Sequence, residues 1–162
     1  MSSDAQRMFR IRPFVSADQE AARQLILQGL GEHFGFIDES YNPDLNDITA
    51  SYLAAGQVFL VAELDGVLVG TGALLMEAEG MGRMVRVSVS REQRGQGLGR
   101  ALVEQLLRLA RARRLRRVVV ETNCDWADAI GLYRRCGFSE YAQDETSIHL
   151  ALDLSGPDTT TS

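Results

Sequence analysis

The chain has 162 residues, of which 45% are hydrophobic and 24% are charged, and this composition excludes a disordered protein. Its net charge of −5 argues against a general polyanion binder, and no apolar run reaches the roughly 20 residues that a membrane span needs. The first residues lack the apolar stretch of a secretory signal, and the two cysteines, Cys124 and Cys136, are too few for a disulfide framework or a zinc site. We therefore expect a cytoplasmic protein that holds no metal.

The first third of the chain predicts one strand, two helices and an irregular segment between the helices. Residues 9–14 (FRIRPF) have the pattern of a short strand. Ser16 is a favourable N-cap and begins a helix that runs to about Gln28. Residues 29–43 are rich in glycine and aromatic residues and are expected to be irregular, and Pro43 can begin the second helix.

The middle of the chain predicts three consecutive antiparallel strands. Residues 57–64 and 67–77 are apolar, β-branched runs joined by a two-residue Asp-Gly turn at 65–66, which is a strong hairpin signal. A second turn at 78–80 leads into a third strand at 82–90. We expect these strands to pair in chain order.

The last half of the chain predicts two helices and three strands. Leucine and alanine recur at helical spacing from Leu98 to Ala110, and alternating apolar residues mark the final strand. The predicted elements are a helix at 98–110, a strand at 116–122, a helix at 125–136 and strands at 138–143 and 146–154. Residues 155–162 are expected to form a disordered tail.

Positive charge is concentrated in one segment. All 17 basic residues are arginine, and 13 of them lie between Arg83 and Arg135 together with only five acidic residues. That segment has a net charge of +8, and the remainder of the chain is near −13. This distribution indicates a local site for an anionic ligand, and it favours nucleic acid less because the acidic remainder would repel a polyanion.

A glycine-rich loop lies inside the basic segment. Residues 91–102 (REQRGQGLGRAL) follow a predicted strand and open a predicted helix, the arrangement in which backbone amides bind phosphate. A P-loop is excluded because the chain has no lysine. A dinucleotide fingerprint fits less well because its third small residue falls on Leu102. A flexible loop without a ligand is the remaining alternative.

Two motifs in register point to one family. Arg94-x-x-Gly97-x-Gly99 resembles motif A of the GNAT superfamily of acetyl-CoA-dependent N-acyltransferases, and residues 129–138 (AIGLYRRCGF) resemble its later A-x-x-L-Y-x-x-x-G-F signature. The order of predicted elements matches as well. The resemblance implies an α/β (α+β) GNAT fold over one domain at 1–154. Its mixed, mostly antiparallel sheet would have six to seven strands, about four helices and a V-shaped splay at the cofactor site.

The resemblance implies acetyl-CoA as the cofactor. The amides at the start of the motif-A helix would bind its pyrophosphate, and arginines there and at Arg134 and Arg135 would add charge. The splayed strand would bind the pantetheine arm, with the Val89 amide polarising the thioester carbonyl. The predicted cofactor-binding residues are Val87, Ser88, Val89, Arg94, Gly95, Gln96, Gly97, Leu98, Gly99, Arg100 and Ala101.

Two residues are predicted to act on protons. Tyr133 lies where the family places the acid that protonates the departing CoA thiolate, and a tyrosine packed on the sheet is the alternative. The general-base glutamate of the histone-acetylating branch falls on Arg83 here, so that mechanism does not transfer. Glu121, at the end of a buried strand, is the first base candidate, and Glu77 and Glu79, at the end of the predicted hairpin, are the others. Deprotonation of the amine through water alone is the alternative.

The acceptor is expected to lie against the irregular segment. Family topology places an acceptor-binding loop there, and Glu32, His33 and Phe34, with nearby acids such as Asp44, could shape a pocket for a cationic amine. A loop whose aromatic residues pin it to the core is the alternative. His149 alternates with the apolar residues of the last strand and is expected to face solvent.

These observations favour an N-acetyltransferase that moves the acetyl group of acetyl-CoA to a primary amine of a small molecule or peptide by direct attack in a ternary complex. A non-catalytic CoA-binding regulatory domain on the same fold is the second hypothesis, and an arginine-rich nucleic-acid binder is the third. The expected partners are the amine acceptor but neither nucleic acid nor a membrane. Whether the chain forms a homodimer is left open.

Overall fold

The computed structural model describes residues 9–34 and 42–154, and it describes the side chains of all of these except 32–34. The predicted tail at 155–162 lies outside the described residues, as does part of the predicted acceptor loop, at 35–41. Within the described ranges, no helix combines the length and the apolar character that crossing a membrane requires.

Seven strands form one mixed sheet in the order β1-β2-β3-β4-β5-β7-β6, in which only β4 and β5 run parallel among the described residues. The strands are β1 (Arg10–Pro13), β2 (Val58–Leu64), β3 (Val67–Met76), β4 (Met81–Val89), β5 (Arg117–Asn123), β6 (Ser139–Gln143) and β7 (Ser147–Asp153). The helices are α1 (Gln19–Phe34), α2 (Leu98–Ala112) and α3 (Ala127–Arg135), with short helical turns at Ser16–Asp18, Pro43–Asn46, Thr49–Leu53 and Arg91–Gln93. The predicted mixed, mostly antiparallel sheet is confirmed.

The predicted central hairpin is confirmed together with its turn. Strands β2 and β3 are joined by Asp65 and Gly66, whose φ angles are +54° and +82°. Two successive positive φ angles match the right-handed twist of paired strands, and the Asp-Gly sequence adopts them readily. Local sequence therefore determined this part of the sheet.

The first helix begins and ends differently from the prediction. Ser16 is not the capping residue, because the Asp18 side chain accepts the hydrogen bond from the Val15 amide at 2.9 Å. Asp18 is held in place by two hydrogen bonds from Arg12 of β1, at 2.8 and 3.0 Å. Helix α1 then continues to Phe34 through residues that were expected to be irregular.

The predicted second helix is divided into two turns. Pro43 does begin a short helical turn, but the chain becomes extended at Asp47, with φ −153°. The Gln19 side chain bridges the break, donating to the Leu45 carbonyl at 2.7 Å and accepting from the Ile48 amide at 2.9 Å. These bonds satisfy backbone groups that a continuous helix would have paired internally.

The sheet has an apolar layer on each face. Helices α2 and α3 cover one face, where Leu102 and Leu106 are fully buried, and each such leucine contributes about 1.5–3 kcal/mol by leaving water. A Cβ atom at Gly70 of β3 would lie 2.9 Å from the Leu102 side chain, so this glycine lets α2 pack close to the sheet. Helix α1 and the turns at 43–53 cover the other face.

Candidate functional site

Strands β4 and β5 separate halfway along their length. Their parallel pairing ends at Met84 and Val120, although β4 continues to Val89 and β5 to Asn123. Beyond that point the edges of the two strands that face each other are not paired with one another. This opening is the V-shaped splay that the family resemblance implied.

A bulge in β4 accompanies the separation. The register between β3 and β4 shifts between Thr71 and Ala73, and opposite this shift Arg86 has a φ angle of +58°. A side-chain-bearing residue rarely adopts this left-handed conformation, and a bulge of this kind bends its strand. The buried Thr71 hydroxyl donates to the Arg86 carbonyl at 2.7 Å and holds the bulge.

The Arg86 side chain is also fixed. Its guanidinium donates to both carboxylate oxygens of Asp44, at 2.7 and 3.1 Å, and the Tyr52 hydroxyl donates to the same carboxylate at 2.5 Å. Burial opposes ionisation of Asp44, but the hydrogen bonds from Arg86 and Tyr52 outweigh it and hold the Asp44 pKa below its ordinary value. Burial, followed by the contact with Asp44, raises the pKa of Tyr52 to about 12. Asp44 lines the cleft, but its charge is neutralised by Arg86, so it adds little negative charge there.

The splay opens into a cleft of about 1320 Å³. Eight of the eleven predicted cofactor-binding residues line this cleft. The lining includes Val87, Ser88, Val89, Arg94, Gly95, Gly97, Gly99 and Arg100, together with Tyr133 and Glu121. The splayed strand, the glycine loop, Tyr133 and Glu121 therefore share one cavity.

The glycine loop ends at the first residue of α2. Gly95 and Gly97 have φ angles of +79° and +86°, and a Cβ atom at either would meet no other atom within 4 Å. The space above both glycines is open. The loop is tied to β4 because Arg94 Nε donates to the Val89 carbonyl at 3.0 Å. The side-chain oxygen of Gln93 is buried without a hydrogen-bond partner among the described residues.

Three predicted cofactor-binding residues do not line the cleft, and for Ala101 the predicted use of the backbone amide is corrected. The Ala101 amide donates to the Gly97 carbonyl at 3.0 Å, so it is used within α2. Leu98 has its side chain in the core, and Gln96 donates to the Glu92 carbonyl at 3.3 Å. The amides that a first helical turn leaves without intrahelical partners are those of residues 98–100.

The fold divides the arginine-rich segment. Arg94, Arg100 and Arg135 line the cleft near the start of α2. Arg134 instead donates to Glu140 at 3.2 Å. The arginines of 108–117 lie where α2 ends and β5 begins, at the opposite end of the sheet from the glycine loop. The basic segment is therefore not one site, as its sequence suggested.

Tyr133 lies on the buried side of α3 with its side chain at the cleft. It is 6% exposed and packs edge-to-face on Phe138, with 5.7 Å between ring centres. Burial, with a smaller contribution from Cys136, raises the pKa of its phenol well above the ordinary value. The phenol therefore keeps its proton at neutral pH, as a proton donor must.

Glu121 lies just beyond the last paired residues of β4 and β5. Its side chain is 49% exposed, and its carboxylate is 3.9 Å from Nδ1 of His149, its cross-strand partner on β7. As the alternation predicts, His149 lies on the face opposite the buried Ile148 and Leu150, and its side chain is 25% exposed between Glu121 and Asp144. The alternation of β7 was read correctly, but no sequence signal shows that β7, and not β6, pairs with β5.

The predicted acceptor residues are only partly described. Glu32, His33 and Phe34 belong to the last turn of α1, and the structure does not describe their side chains. The preceding residues Gly29 and Leu30 line the cleft. The acceptor prediction therefore stays a prediction.

Comparison with known proteins identifies the family. Residues 18–138 match the acetyltransferase (GNAT) family. The chain is 38% identical over 114 residues to human N-acetyltransferase 8B and 39% identical over 111 residues to rat N-acetyltransferase 8. The two alignments cover 67% and 65% of this chain and 50% of each relative, so the chain spans about half the length of these relatives.

Solved structures with low sequence identity share the fold. A GNAT acetyltransferase from Staphylococcus aureus superposes with a TM-score of 0.82 at 21% identity, covering 91% of this chain and 99% of the other. The PaiA N-acetyltransferase of Thermoplasma acidophilum, solved with coenzyme A, has a TM-score of 0.79 at 14% identity, covering 90% and 99%. YncA of Salmonella typhimurium, solved with acetyl-CoA, has a TM-score of 0.75 at 20% identity, covering 94% and 99%. With the family match over residues 18–138, these findings show that the chain belongs to the GNAT family of acetyltransferases.

Proposed function

We propose that this chain is an N-acetyltransferase that transfers the acetyl group of acetyl-CoA to a primary amine by direct attack in a ternary complex. One observation carries the proposal: the unpaired end of β4, the glycine loop and the buried Tyr133 line the same cleft. In the proposed reaction, the strand edge binds the pantetheine arm, the glycine loop binds the pyrophosphate and the phenol protonates the departing thiolate.

The residues at the loop fit a coenzyme A pyrophosphate. The first-turn amides of residues 98–100 and the positive end of the α2 dipole favour an anion there. Gly95 and Gly97 leave the approach open, and the exposed guanidinium of Arg100 adds charge. The unpartnered oxygen of Gln93 offers an acceptor for one of the cofactor's N–H groups.

The splayed end of β4 fits the pantetheine arm. The backbone groups of Val87, Ser88 and Val89 on the β5 side have lost their strand partner, and an amide-bearing chain can pair with such an edge as an added strand does. The Val89 amide would stabilise the negative charge that develops on the thioester oxygen. Acetyl-CoA, when bound, supplies the activated acetyl group.

In the proposed reaction, Glu121 accepts one proton and Tyr133 donates another. The neutral amine nitrogen attacks the thioester carbon, and the Glu121 carboxylate takes the proton that the nitrogen releases. The carbon–sulfur bond then breaks, and Tyr133 donates its proton to the departing thiolate. Both groups line the cleft, and the Tyr133 phenol carries at neutral pH the proton that the thiolate takes up.

A binding-only domain is the second candidate and has less support. Such a protein needs the glycine loop and the splayed strand, but it has no use for a buried phenol at the cleft. The burial of Tyr133 with its side chain at the cavity favours the enzyme.

Turnover of acetyl-CoA with a panel of amines tests the proposal. The panel contains polyamines, amino acids, peptides with free N-termini and lysine peptides, and thiol release is followed together with the mass of the product. We expect thiol release that requires both an amine and the intact loop. Binding of CoA without turnover of any amine would support the binding-only domain. Calorimetry that detects NADH or ATP but neither CoA nor acetyl-CoA would contradict both candidates.

A further inference from the structure

A histidine on β7 lies between two carboxylates at the edge of the cleft. His149 and Glu121 are direct cross-strand partners in the antiparallel β5–β7 pair, so their side chains share one face of the sheet. Nδ1 of His149 is 3.9 Å from Oε1 of Glu121, and its Nε2 is 3.8 Å from Oδ2 of Asp144. Glu121 lines the cleft, whereas His149 and Asp144 do not, so the imidazole connects the cleft to the surface behind it.

Asp144 is held in a fixed orientation by the turn between β6 and β7. Its Oδ1 atom accepts hydrogen bonds from the Thr146 amide at 2.9 Å, the Ser147 amide at 2.8 Å and the Thr146 hydroxyl at 3.3 Å. These bonds leave Oδ2 directed at His149. The two backbone amides also lower the pKa of Asp144, which keeps it an anion at neutral pH.

The other polar groups near His149 come from β6 and β5. The Tyr141 ring of β6 lies 6.0 Å from the imidazole, and the Arg117 guanidinium of β5 lies 5.1 Å from the Tyr141 ring. Arg117 also donates to Asp153 at 3.4 Å, so its charge is partly compensated there. Among the described residues, the carboxylates within 4 Å of the imidazole are Glu121 and Asp144.

We propose that His149 is a positioning residue that relays the proton of the acceptor amine from Glu121 to Asp144 and solvent. This inference rests on the proposed function, because it requires Glu121 to accept that proton. It adds a route by which the base is restored after each turnover.

The relay balances one proton in and one proton out. In the proposed relay, Nε2 of His149 donates its proton toward Asp144, and Nδ1 accepts a proton from Glu121. After the amine has protonated Glu121, the carboxyl group passes its proton to Nδ1, and the Nε2 proton leaves through Asp144 to water. Proton exchange between the partly exposed imidazole and solvent then removes the Nδ1 proton and restores the one on Nε2 before the next turnover. Both gaps exceed a hydrogen bond by about 1 Å, which a side-chain rotation or one bridging water closes.

A surface ion pair without a catalytic role is the competing explanation. Exposed pairs of this kind contribute little to stability, and their loss changes no reaction rate. The two explanations differ in what happens to turnover, so kinetics separates them.

The experiment compares His149→Ala, Glu121→Gln and the double variant in saturating acetyl-CoA and amine. We expect His149→Ala to lower kcat roughly tenfold, a fraction of the effect of losing a general base, with the KM for acetyl-CoA unchanged. The double variant should be no slower than Glu121→Gln alone, because the relay acts only through Glu121. Added imidazole should restore turnover in His149→Ala but not in Glu121→Gln.

A matched pair tests the outer end of the relay. Asp144→Asn should lower kcat severalfold, while Glu145→Gln, which removes a charge from the same turn, should leave it unchanged. The relay alone would be overturned if His149→Ala turned over as fast as the wild type. It would also be overturned if the effects of His149→Ala and Glu121→Gln on kcat multiplied in the double variant. Absence of turnover in the wild-type protein with every amine would overturn the proposed function and the relay together.

Discussion

The proposed cofactor side of the cleft comes from one short segment, residues 87–101, whereas the proposed acceptor side combines side chains from distant parts of the chain. On the cofactor side the expected contacts are mostly backbone amides of β4 and of the first turn of α2. Elsewhere at the cleft, Asp44 pairs with Arg86, and Glu121 contacts His149 behind the lining. Each pair forms only because strands and turns far apart in sequence pack together. Backbone sites can therefore be local, whereas side-chain sites depend on the whole fold.

Charge is handled differently in these two parts of the cleft. Arg100 on the proposed cofactor side is 54% exposed and is paired with Glu104 of its own helix, so it can turn to a phosphate at little cost. Elsewhere at the cleft, Arg86 is 20% exposed and is fixed by Asp44, which comes from a different layer. The proposed cofactor side is thus suited to bind a mobile anion, whereas Arg86 and Asp44 hold each other in place.

The largest expected effect is on the cofactor side, at Gly97. Gly97→Val should raise the Kd for acetyl-CoA by at least about 100-fold, because a β-branched residue disfavours the φ angle of +86° and its side chain would enter the open space above the loop. Isothermal calorimetry measures the loss. Gly56→Val is the control, since Gly56 has a φ angle of +82° and open surroundings but does not line the cleft. Equal affinities of the two variants would show that the loop does not bind the cofactor.

The next effect separates chemistry from binding. Tyr133→Phe should lower kcat roughly 100-fold, the usual scale for losing a general acid, with the Kd for acetyl-CoA nearly unchanged. Steady-state kinetics and calorimetry measure the two quantities. Tyr141→Phe, at a tyrosine that is 51% exposed, should retain full activity. A Tyr133→Phe variant as fast as the wild type would make Tyr133 structural.

A smaller effect tests whether the pair of Asp44 and Arg86 supports the proposed cofactor side. Asp44→Asn leaves the Arg86 guanidinium without its anion and should lower the free energy of unfolding by about 1–3 kcal/mol at pH 7. It should also raise the Kd for acetyl-CoA severalfold, because Arg86 lies in the bulge next to Val87. Urea unfolding and calorimetry measure these changes, and Glu20→Gln in an exposed pair is the control.

The same pair predicts a pH dependence. The Asp44 pKa is lowered in the folded protein, so the unfolded chain takes up a proton on Asp44 at a higher pH than the folded protein does. The stability from Asp44 is therefore present above its ordinary pKa of about 3.9 and is lost as the pH falls below it. The difference between wild type and Asp44→Asn should shrink below about pH 4. A difference that is constant with pH would show that Asp44 does not act through its charge.

The smallest effect concerns the predicted acceptor loop. If Glu32 attracts a cationic amine, Glu32→Arg should raise the KM for the amine a few-fold without changing the Kd for acetyl-CoA. The KM of the wild type should rise with salt as the attraction is screened. A variant with an unchanged KM, or a preference of the wild type for anionic amines, would contradict the predicted acidic rim.

Local patterns were sufficient for much of the fold and for one side of the site. The Asp-Gly hairpin, the amphipathic helix from Leu98 and the glycine loop each depend on a few neighbouring residues, and the structure has all three. The start of the first helix was misjudged because its N-cap is Val15, whose amide donates to Asp18, and Arg12 of β1 holds that carboxylate in place. A contact between separate elements outweighed the local preference of Ser16.

The sequence by itself determined the family, the place of the glycine loop and the candidate roles of Tyr133 and Glu121, because motif spacing and backbone conformation are local properties. Tertiary structure alone placed His149 beside Glu121 and Arg86 against Asp44. Both contacts depend on strand order and on a bulge, and these follow from how all the layers bury their apolar faces together. No short stretch of sequence contains that information.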